Sequence, residues 1–152
     1  MTADVSASIR SLAVPLARAG GAVIVDVQVK GAGSRTLVRV VADRKGGIDI
    51  ATCQELSRRL SAALDAADPI DGRYVLEVTS PGLDYPLTDR AAFDRVEGRA
   101  VLVGRHAPNG SPVQVRGTVT AAEDDAVCLD VDGEAVRVPY GEIIKATQAL
   151  PW

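Results

Sequence analysis

The sequence predicts an α+β protein of two domains, and three patterns support this fold class. Apolar residues recur at helical spacing in two segments of residues 1–86, and alternating residues indicate three strands in the same part of the chain. Residues 87–152 contain short apolar runs separated by turn residues. We therefore expect an N-terminal α-β-β-α-β sandwich and a C-terminal small five-stranded β-barrel with a short leading helix.

The first helix and the hairpin after it follow from apolar spacing. The residues at helical spacing are Val5, Ile9, Leu12 and Leu16. Gly20-Gly21 can end this helix, and Pro15 is expected to kink its last turn or to shift its boundary. The first strand alternates, with one predicted face formed by Val23, Val25, Val27 and Val29. Residues 31–34 form the predicted hairpin loop, and residues 35–42 form the second strand.

The second helix and the third strand complete the predicted sandwich. Asp49 is expected to cap the N-terminus of the helix, and Asp68-Pro69 is expected to end it. The predicted core face of the helix consists of Ile50, Cys53, Leu56, Leu60 and Leu64. The third strand is predicted because Tyr74, Leu76 and Val78 alternate with Val75, Glu77 and Thr79. Both helices are expected on one face of the sheet.

The segment after the third strand is predicted to be a stiff connector between the domains. It consists of Ser80, Pro81, Gly82, Leu83, Asp84, Tyr85 and Pro86. Pro81 presets φ for the second position of a turn, and Gly82 accepts the positive φ that a type II turn demands at the third. Pro86 favours an extended conformation for Tyr85.

The second domain begins with a short helix that Thr88 or Asp89 can cap and that Phe93, the only phenylalanine, can anchor. The predicted strands contain the runs Val101–Val103, Val113–Val119, Val127–Val131, Val136–Val138 and Ile143–Ala146. Asp132-Gly133 indicates a tight turn, and Gly117 is a predicted bend.

The sequence contains no recognisable catalytic constellation. The single histidine, His106, lies in a predicted loop, and Cys53 and Cys128 lack neighbours at zinc-ligand spacing. Motifs of serine hydrolases, zinc proteases and phosphate-binding loops do not occur. We therefore expect a non-enzymatic protein without metal or cofactor, with free thiols in a reducing cytoplasm. No membrane span or signal peptide is predicted.

Charge is distributed unevenly over the chain, whose net charge is −3. Residues 1–88 hold ten basic and ten acidic residues, whereas residues 89–152 hold seven basic and ten acidic residues. Six acidic residues of the second half follow one another without a lysine or arginine between them: Glu123, Asp124, Asp125, Asp130, Asp132 and Glu134. They indicate either solvated turns or a docking surface for a basic partner.

The basic residues of the first half also allow two interpretations. The relevant residues are Arg35, Arg39, Arg44, Lys45, Arg58 and Arg59. They form either a solvated surface or limited phosphate contacts with a structured RNA. A KH-like RNA-binding module is disfavoured because the chain lacks the Gly-x-x-Gly loop, and a small RNA-binding barrel is disfavoured because the second half is acidic and poor in aromatic residues.

One twelve-residue segment, 76–87, carries a specific family resemblance. It reads Leu-Glu-Val-Thr-Ser-Pro-Gly-Leu-Asp-Tyr-Pro-Leu, which is similar to Leu-Glu-Val-Ser-Ser-Pro-Gly-Leu-Asp-Arg-Pro-Leu of the bacterial ribosome maturation factor RimP family. Further matches are Gly46-Gly47-Ile48, Cys53–Ser57, Leu64-Asp65, Asp68–Ile70, Val138–Tyr140 and Ile143–Ala146. Tyr85 stands where the family usually has arginine, so a phosphate contact by that arginine is not carried over.

The resemblance implies an N-terminal α/β domain and a C-terminal Sm-like, SH3-type barrel. It also implies a non-enzymatic role in the cytoplasm, in which a monomer binds the immature small ribosomal subunit and assists its assembly. The implied direct partner is the basic small-subunit ribosomal protein numbered twelve, with additional contact to the ribosomal RNA backbone. An Sm-type RNA-binding module acting outside the ribosome is the alternative, and an enzyme without recognisable motifs is a further one.

Overall fold

A computed structural model describes residues 2–31 and 35–149 of the chain, with side chains from Val5 onward. The chain divides into two compact units, Met1–Pro81 and Gly82–Trp152. The sequence predicts the boundary slightly later, between residues 86 and 87. Independent folding of the two parts stays a prediction.

The first unit contains two helices and a three-stranded sheet. Its elements are α1 (Thr2–Ala19), β1 (Val23–Lys30), β2 (Thr36–Asp43), α2 (Ile50–Ala67) and β3 (Tyr74–Thr79). The strand order is β1-β2-β3, with β1 antiparallel and β3 parallel to β2. The parallel pair requires the crossover that α2 provides. The predicted element order is confirmed, whereas residues 32–34 of the predicted hairpin loop lie outside the described residues.

Both helices of the first unit pack on the same sheet face, as predicted. The main cluster of buried residues comprises Ile9, Ala13, Val27, Val38, Val40, Leu60, Leu64 and Ile70, and Tyr74, Leu76 and Val78 pack against it. A second cluster joins Ala17, Ala22, Ala42 and Leu56. Because this core is built from small and aliphatic side chains, its stability rests on close aliphatic packing.

The capping predictions for α2 are confirmed. The Asp49 side chain accepts a hydrogen bond of 2.8 Å from the Thr52 amide, which satisfies one of the open amides of the first turn. At the other end Asp68 adopts a left-handed conformation with φ of 50°, and its amide donates to the Leu64 carbonyl.

Three predictions for the first unit need correction. The predicted valine face of β1 is confirmed for Val27 and Val29, which pack in the core, but is wrong before the β-bulge between Ile24 and Asp26. There the alternation is shifted, so Ile24 packs in the core and Val23 is 46% exposed. Ile50 is 77% exposed because it begins α2 before the packed face starts. Of the two alternatives for Pro15, the shifted helix boundary is wrong, since α1 continues to Ala19, and the kink of the last turn stays a prediction.

The second unit contains a short helix and a five-stranded antiparallel sheet. Its elements are α3 (Arg90–Arg95), β4 (Ala100–His106), β5 (Pro112–Ala122), β6 (Ala126–Val131), β7 (Glu134–Pro139), a 3-10 helix (Tyr140–Glu142) and β8 (Ile143–Gln148). The order β7-β6-β5-β4-β8 leaves β7 and β8 as the outer strands. All five predicted strands are present, and closure into an Sm-like barrel stays a prediction.

Phe93 anchors α3 in the core of the second unit, as predicted. The Asp89 carboxylate caps α3 by accepting from the Ala92 amide at 2.9 Å. Phe93 is fully buried, and its ring lies 5.9 Å from the ring of Tyr140 between centroids. The remaining core consists mainly of valines, including Val101 and Val103.

Gly117 provides space for a neighbouring strand, and the bend predicted at this residue stays a prediction. The irregularity of β5 lies two residues further on, between Val119 and Ala121. A Cβ atom at Gly117 would lie 2.9 Å from both the Asp130 carbonyl oxygen and Val131 Cγ2. The close approach of β6 therefore requires glycine at this position.

Replacing Gly117 with alanine is expected to lower the free energy of unfolding by about 1–3 kcal/mol, because the added methyl group must displace backbone of β6. Urea unfolding followed by circular dichroism measures this change. Gly141→Ala is the matched control, since a Cβ atom there meets nothing within 4 Å. Equal stability of the two variants would contradict the assigned role of Gly117.

Candidate binding surfaces

The turn between β6 and β7 presents three of the six acidic candidates. Asp132 and Gly133 adopt positive φ values of 52° and 88°, which is the geometry of a two-residue hairpin turn. Asp130 Oδ1 accepts a hydrogen bond of 2.8 Å from the Gly133 amide, and Asp132 and Glu134 are exposed. We call Asp130, Asp132 and Glu134 the acidic turn. Among the described residues these three carboxylates have no ion-pair partner.

The other three acidic candidates are engaged by arginines of the same unit. Arg137 donates to Glu123 at 3.0 Å and to Asp125 at 2.5 Å, and Arg90 donates to Asp124 at 2.5 Å. Sequence reasoning missed these arginines. The register of β6 and β7 could have revealed Arg137. A two-residue turn at Asp132-Gly133 pairs Arg137 with Cys128, and the Cys128 thiol lies next to Glu123.

Cys128 and Arg137 both act on the Glu123 carboxylate. Hydrogen bonds from Arg137 and from the Cys128 thiol hold the pKa of Glu123 below its ordinary value. Burial and the bond to Glu123 raise the pKa of Cys128, and burial raises the pKa of Cys53. Both cysteines are free and half-buried, as predicted. A raised pKa disfavours the reactive thiolate.

The six basic candidates do not form one surface. Arg39 lies on the sheet face opposite the helices and pairs with Glu77 of β3 at 3.3 Å. Arg44 lies near the start of α2, 3.6 Å from the Asp49 carboxylate. Arg58 and Arg59 share the single carboxylate of Glu55 on α2.

The remaining basic candidates are exposed, as Arg58 and Arg59 are. Arg35 lies just before β2, and Lys45 lies in the loop after it. Because two arginines share Glu55, that part of α2 retains a local charge of about +1. The positive charge of the first unit that is available for binding a partner is therefore small, and it is divided among separate places on the surface.

The predicted type II turn at Ser80-Pro81-Gly82 is wrong. Gly82 does not adopt a positive φ, and the hydrogen-bonded turn begins there, with the Tyr85 amide donating to the Gly82 carbonyl at 3.1 Å. A Cβ atom at Gly82 would lie 2.9 Å from Asp84 Oδ1, a contact that the Asp84 side chain can relieve by turning away. Leu87 then donates to the Ala146 carbonyl at 2.8 Å, which ties the chain to β8.

The remaining candidates for chemistry stay separate. His106 is exposed at the end of β4, with Nδ1 3.4 Å from the Gly110 carbonyl oxygen. Within residues 2–31 and 35–149, histidine, cysteine and acidic side chains do not group as a metal site. In the same described ranges, neither long helix is apolar enough to cross a membrane.

These observations define an α+β protein whose charged side chains lie at the surface. Residues 12–84 match the family model of the RimP N-terminal domain, which confirms the resemblance found in the sequence. This match supports the RimP ribosome maturation factor family as the family of the chain. The matched segment spans most of the first unit, from α1 into the connector. The match supports a role in ribosome maturation, and this family implies association with the small ribosomal subunit.

Replacing Arg137 with glutamine is expected to raise the pKa of Glu123 toward the ordinary glutamate value of about 4.3, because the main hydrogen-bond donor is lost. Carboxyl carbon NMR during a pH titration measures this. A lowered folded-state pKa contributes stability above the ordinary pKa, and this contribution is lost as pH falls through the folded-state value. The stability advantage of wild type should therefore shrink below about pH 4.

Arg105→Gln is the control for this titration. Arg105 pairs with Glu142 at 3.0 Å elsewhere in the second unit, so its loss should leave the Glu123 titration unchanged. An unchanged Glu123 titration in Arg137→Gln would show that the two side chains do not interact in solution.

Proposed function

We propose that this protein is a non-enzymatic assembly factor that binds the immature small ribosomal subunit in the bacterial cytoplasm. The match of residues 12–84 to the RimP N-terminal domain carries this proposal. The proposed direct partner is the basic small-subunit ribosomal protein numbered twelve. Binding alone suffices for such a role, because a factor that holds a partner in one conformation shifts the population of assembling subunits.

The acidic turn is the proposed docking surface for that basic protein. Asp130, Asp132 and Glu134 lie within five residues at one hairpin, and their charges are not compensated by the arginines that engage Glu123, Asp124 and Asp125. Opposite charge steers association and fixes the register of a complex. The engaged carboxylates then hold the strands behind the turn in place.

The first unit is proposed to make limited contacts with ribosomal RNA. Arg35 and Lys45 are exposed, and Arg58 and Arg59 share one carboxylate. Phosphate contacts of this kind position a protein without reading sequence. The balanced charge of residues 1–88 fits a supporting contact better than high-affinity RNA binding.

The connector Ser80–Pro86 is proposed to keep the two binding surfaces at a set spacing. Pro81 and Pro86 each fix one backbone φ angle, and the Gly82–Tyr85 turn restricts the residues between them. A restricted connector reduces the conformational entropy that is lost when both surfaces bind one subunit.

Neutralising the acidic turn with Asp130→Asn, Asp132→Asn and Glu134→Gln is expected to weaken binding to small subunits about tenfold, because three steering charges are lost. Binding of the variant should also depend less steeply on salt concentration than binding of wild type. Co-sedimentation with immature small subunits on sucrose gradients at two salt concentrations measures both effects. Asparagine tolerates the left-handed conformation of Asp132, so the turn is retained.

The matched control neutralises the engaged carboxylates with Glu123→Gln, Asp124→Asn and Asp125→Asn. This variant changes the charge by the same amount but is expected to affect binding less. Equal effects of the two variants would assign the binding to overall charge and not to the turn. Absence of wild type from the small-subunit fractions would contradict the proposed function and favour a module acting outside the ribosome.

Replacing both Pro81 and Pro86 with glycine tests the connector. We expect both units to stay folded and binding to small subunits to weaken, because the flexible connector loses more entropy on binding. The same gradients measure binding, and circular dichroism checks folding. Unchanged binding would remove the connector from the mechanism.

A further inference from the structure

The outer edge of β3 differs from the other edge of its sheet. The edge strand β1 contains a β-bulge and the charged residues Asp26 and Lys30, which discourage pairing with another chain. β3 pairs with β2 in unbroken register over its whole length. Its only charged residue, Glu77, is held by Arg39 on β2. The β3 edge is therefore regular and lacks these protective features.

A groove between β3 and α2 lies beside this edge. It contains two cavities of about 280 and 510 Å³ that share Ser57. The cavity near the start of α2 is lined by residues that include Ile48, Ile50, Cys53, Gln54 and Val78. The cavity near the end of α2 is lined by residues that include Ser61, Asp65, Arg73, Tyr74 and Leu76. Both cavities therefore lie along the same helix and strand, with Ser57 lining each of them.

Exposed apolar side chains border the groove and the strand edge. Ile50, at one end of the groove, is 77% exposed, and Val75, on β3, is 65% exposed. An added strand would contact such residues with its alternating side chains. Among the described residues no strand pairs with the outer side of β3, and an extended peptide can add to such a sheet edge while neighbouring pockets take its alternate side chains.

The end of the groove near Tyr74 is electronegative. Asp65, Asp68 and Asp71 lie at the C-terminus of α2 and in the following loop. They outnumber the two basic residues at this end, which are Arg73 and Arg35, the latter placed there by the pairing of Thr36 with Tyr74. The last turn of α2 contains no basic residue, so the negative end of its dipole is uncompensated. The Tyr74 hydroxyl donates a hydrogen bond of 3.0 Å to the Asp65 carboxylate. The pKa of Tyr74 is raised, mainly by burial and further by this hydrogen bond.

We propose that an extended segment of a partner protein adds to β3 as a fourth strand of the sheet. Alternate apolar side chains would enter the groove between β3 and α2, and a lysine or arginine would lie at the Tyr74 end. Main-chain hydrogen bonds provide affinity in this mode, and the groove and the acidic end provide selectivity. This surface is separate from the acidic turn, and the proposal does not depend on the proposed ribosomal role.

A synthetic decapeptide tests the proposal with the full chain. The probe alternates valine and threonine and has a lysine at each end, and a second peptide has glutamate at each end. Titration into the ¹⁵N-labelled protein is expected to shift amide resonances of β3 and of the groove side of α2, and to slow solvent exchange of β3 amides. The lysine peptide should bind at least tenfold more tightly than the glutamate peptide.

Two variants and one control locate the site. Ser57→Phe fills the point where the two cavities meet and should weaken binding at least tenfold, whereas Ser11→Phe on the exposed side of α1 should not. Asp71→Lys, in an exposed loop, should weaken the lysine peptide and strengthen the glutamate peptide, which tests the site even if Ser57→Phe does not fold.

Several results would overturn the proposal. They are shifts confined to the acidic turn, equal binding of both peptides, no shifts at millimolar peptide, and unchanged binding in Ser57→Phe and Asp71→Lys. Shifts of β3 that depend on protein concentration without peptide would instead assign the edge to a second copy of this chain. Displacement of the peptide by an RNA oligonucleotide at β3 would assign it to RNA.

Discussion

Arg137 holds two carboxylates at once, Glu123 through Nε at 3.0 Å and Asp125 through Nη2 at 2.5 Å. Exposed ion pairs add little stability, but each compensates charge that would otherwise attract a partner. Together with the Arg90–Asp124 pair, this arrangement leaves the uncompensated negative charge of the β6–β7 hairpin at the acidic turn. In the first unit, the carboxylates of Glu55, Glu77 and Asp49 likewise compensate the positive charge of nearby arginines. Internal pairing therefore determines which charges are available for binding.

Most of the fold could be predicted because local signals agree with tertiary packing. The alternation in residues 74–79 identified β3, and Asp49 and Asp68 marked both ends of α2. The Asp132-Gly133 turn fixed the β6–β7 hairpin. Each of these signals is local in sequence and acts through backbone geometry, which is why composition and spacing were sufficient.

Other features depend on contacts that a single segment does not contain. The bulge near Val25 inserts one residue without a composition signal and reverses the face of Val23. Gly117 resembles a bend glycine, yet it is needed for the close approach of β6, and Gly82 resembles a type II turn glycine but does not adopt a positive φ. The partners of the acidic and basic candidates required the strand register, so sequence alone showed the charged residues without showing which of them were already paired.

The central claim is that the acidic turn meets a basic protein on the immature small subunit. A photo-crosslinking side chain at exposed Ala135, which lies opposite Asp130 in the β6–β7 ladder, tests this claim while keeping all three charges of the turn. After irradiation with immature small subunits, mass spectrometry is expected to identify a crosslink to a basic small-subunit ribosomal protein. Crosslinks to ribosomal RNA alone, with no crosslinked protein, would contradict the account.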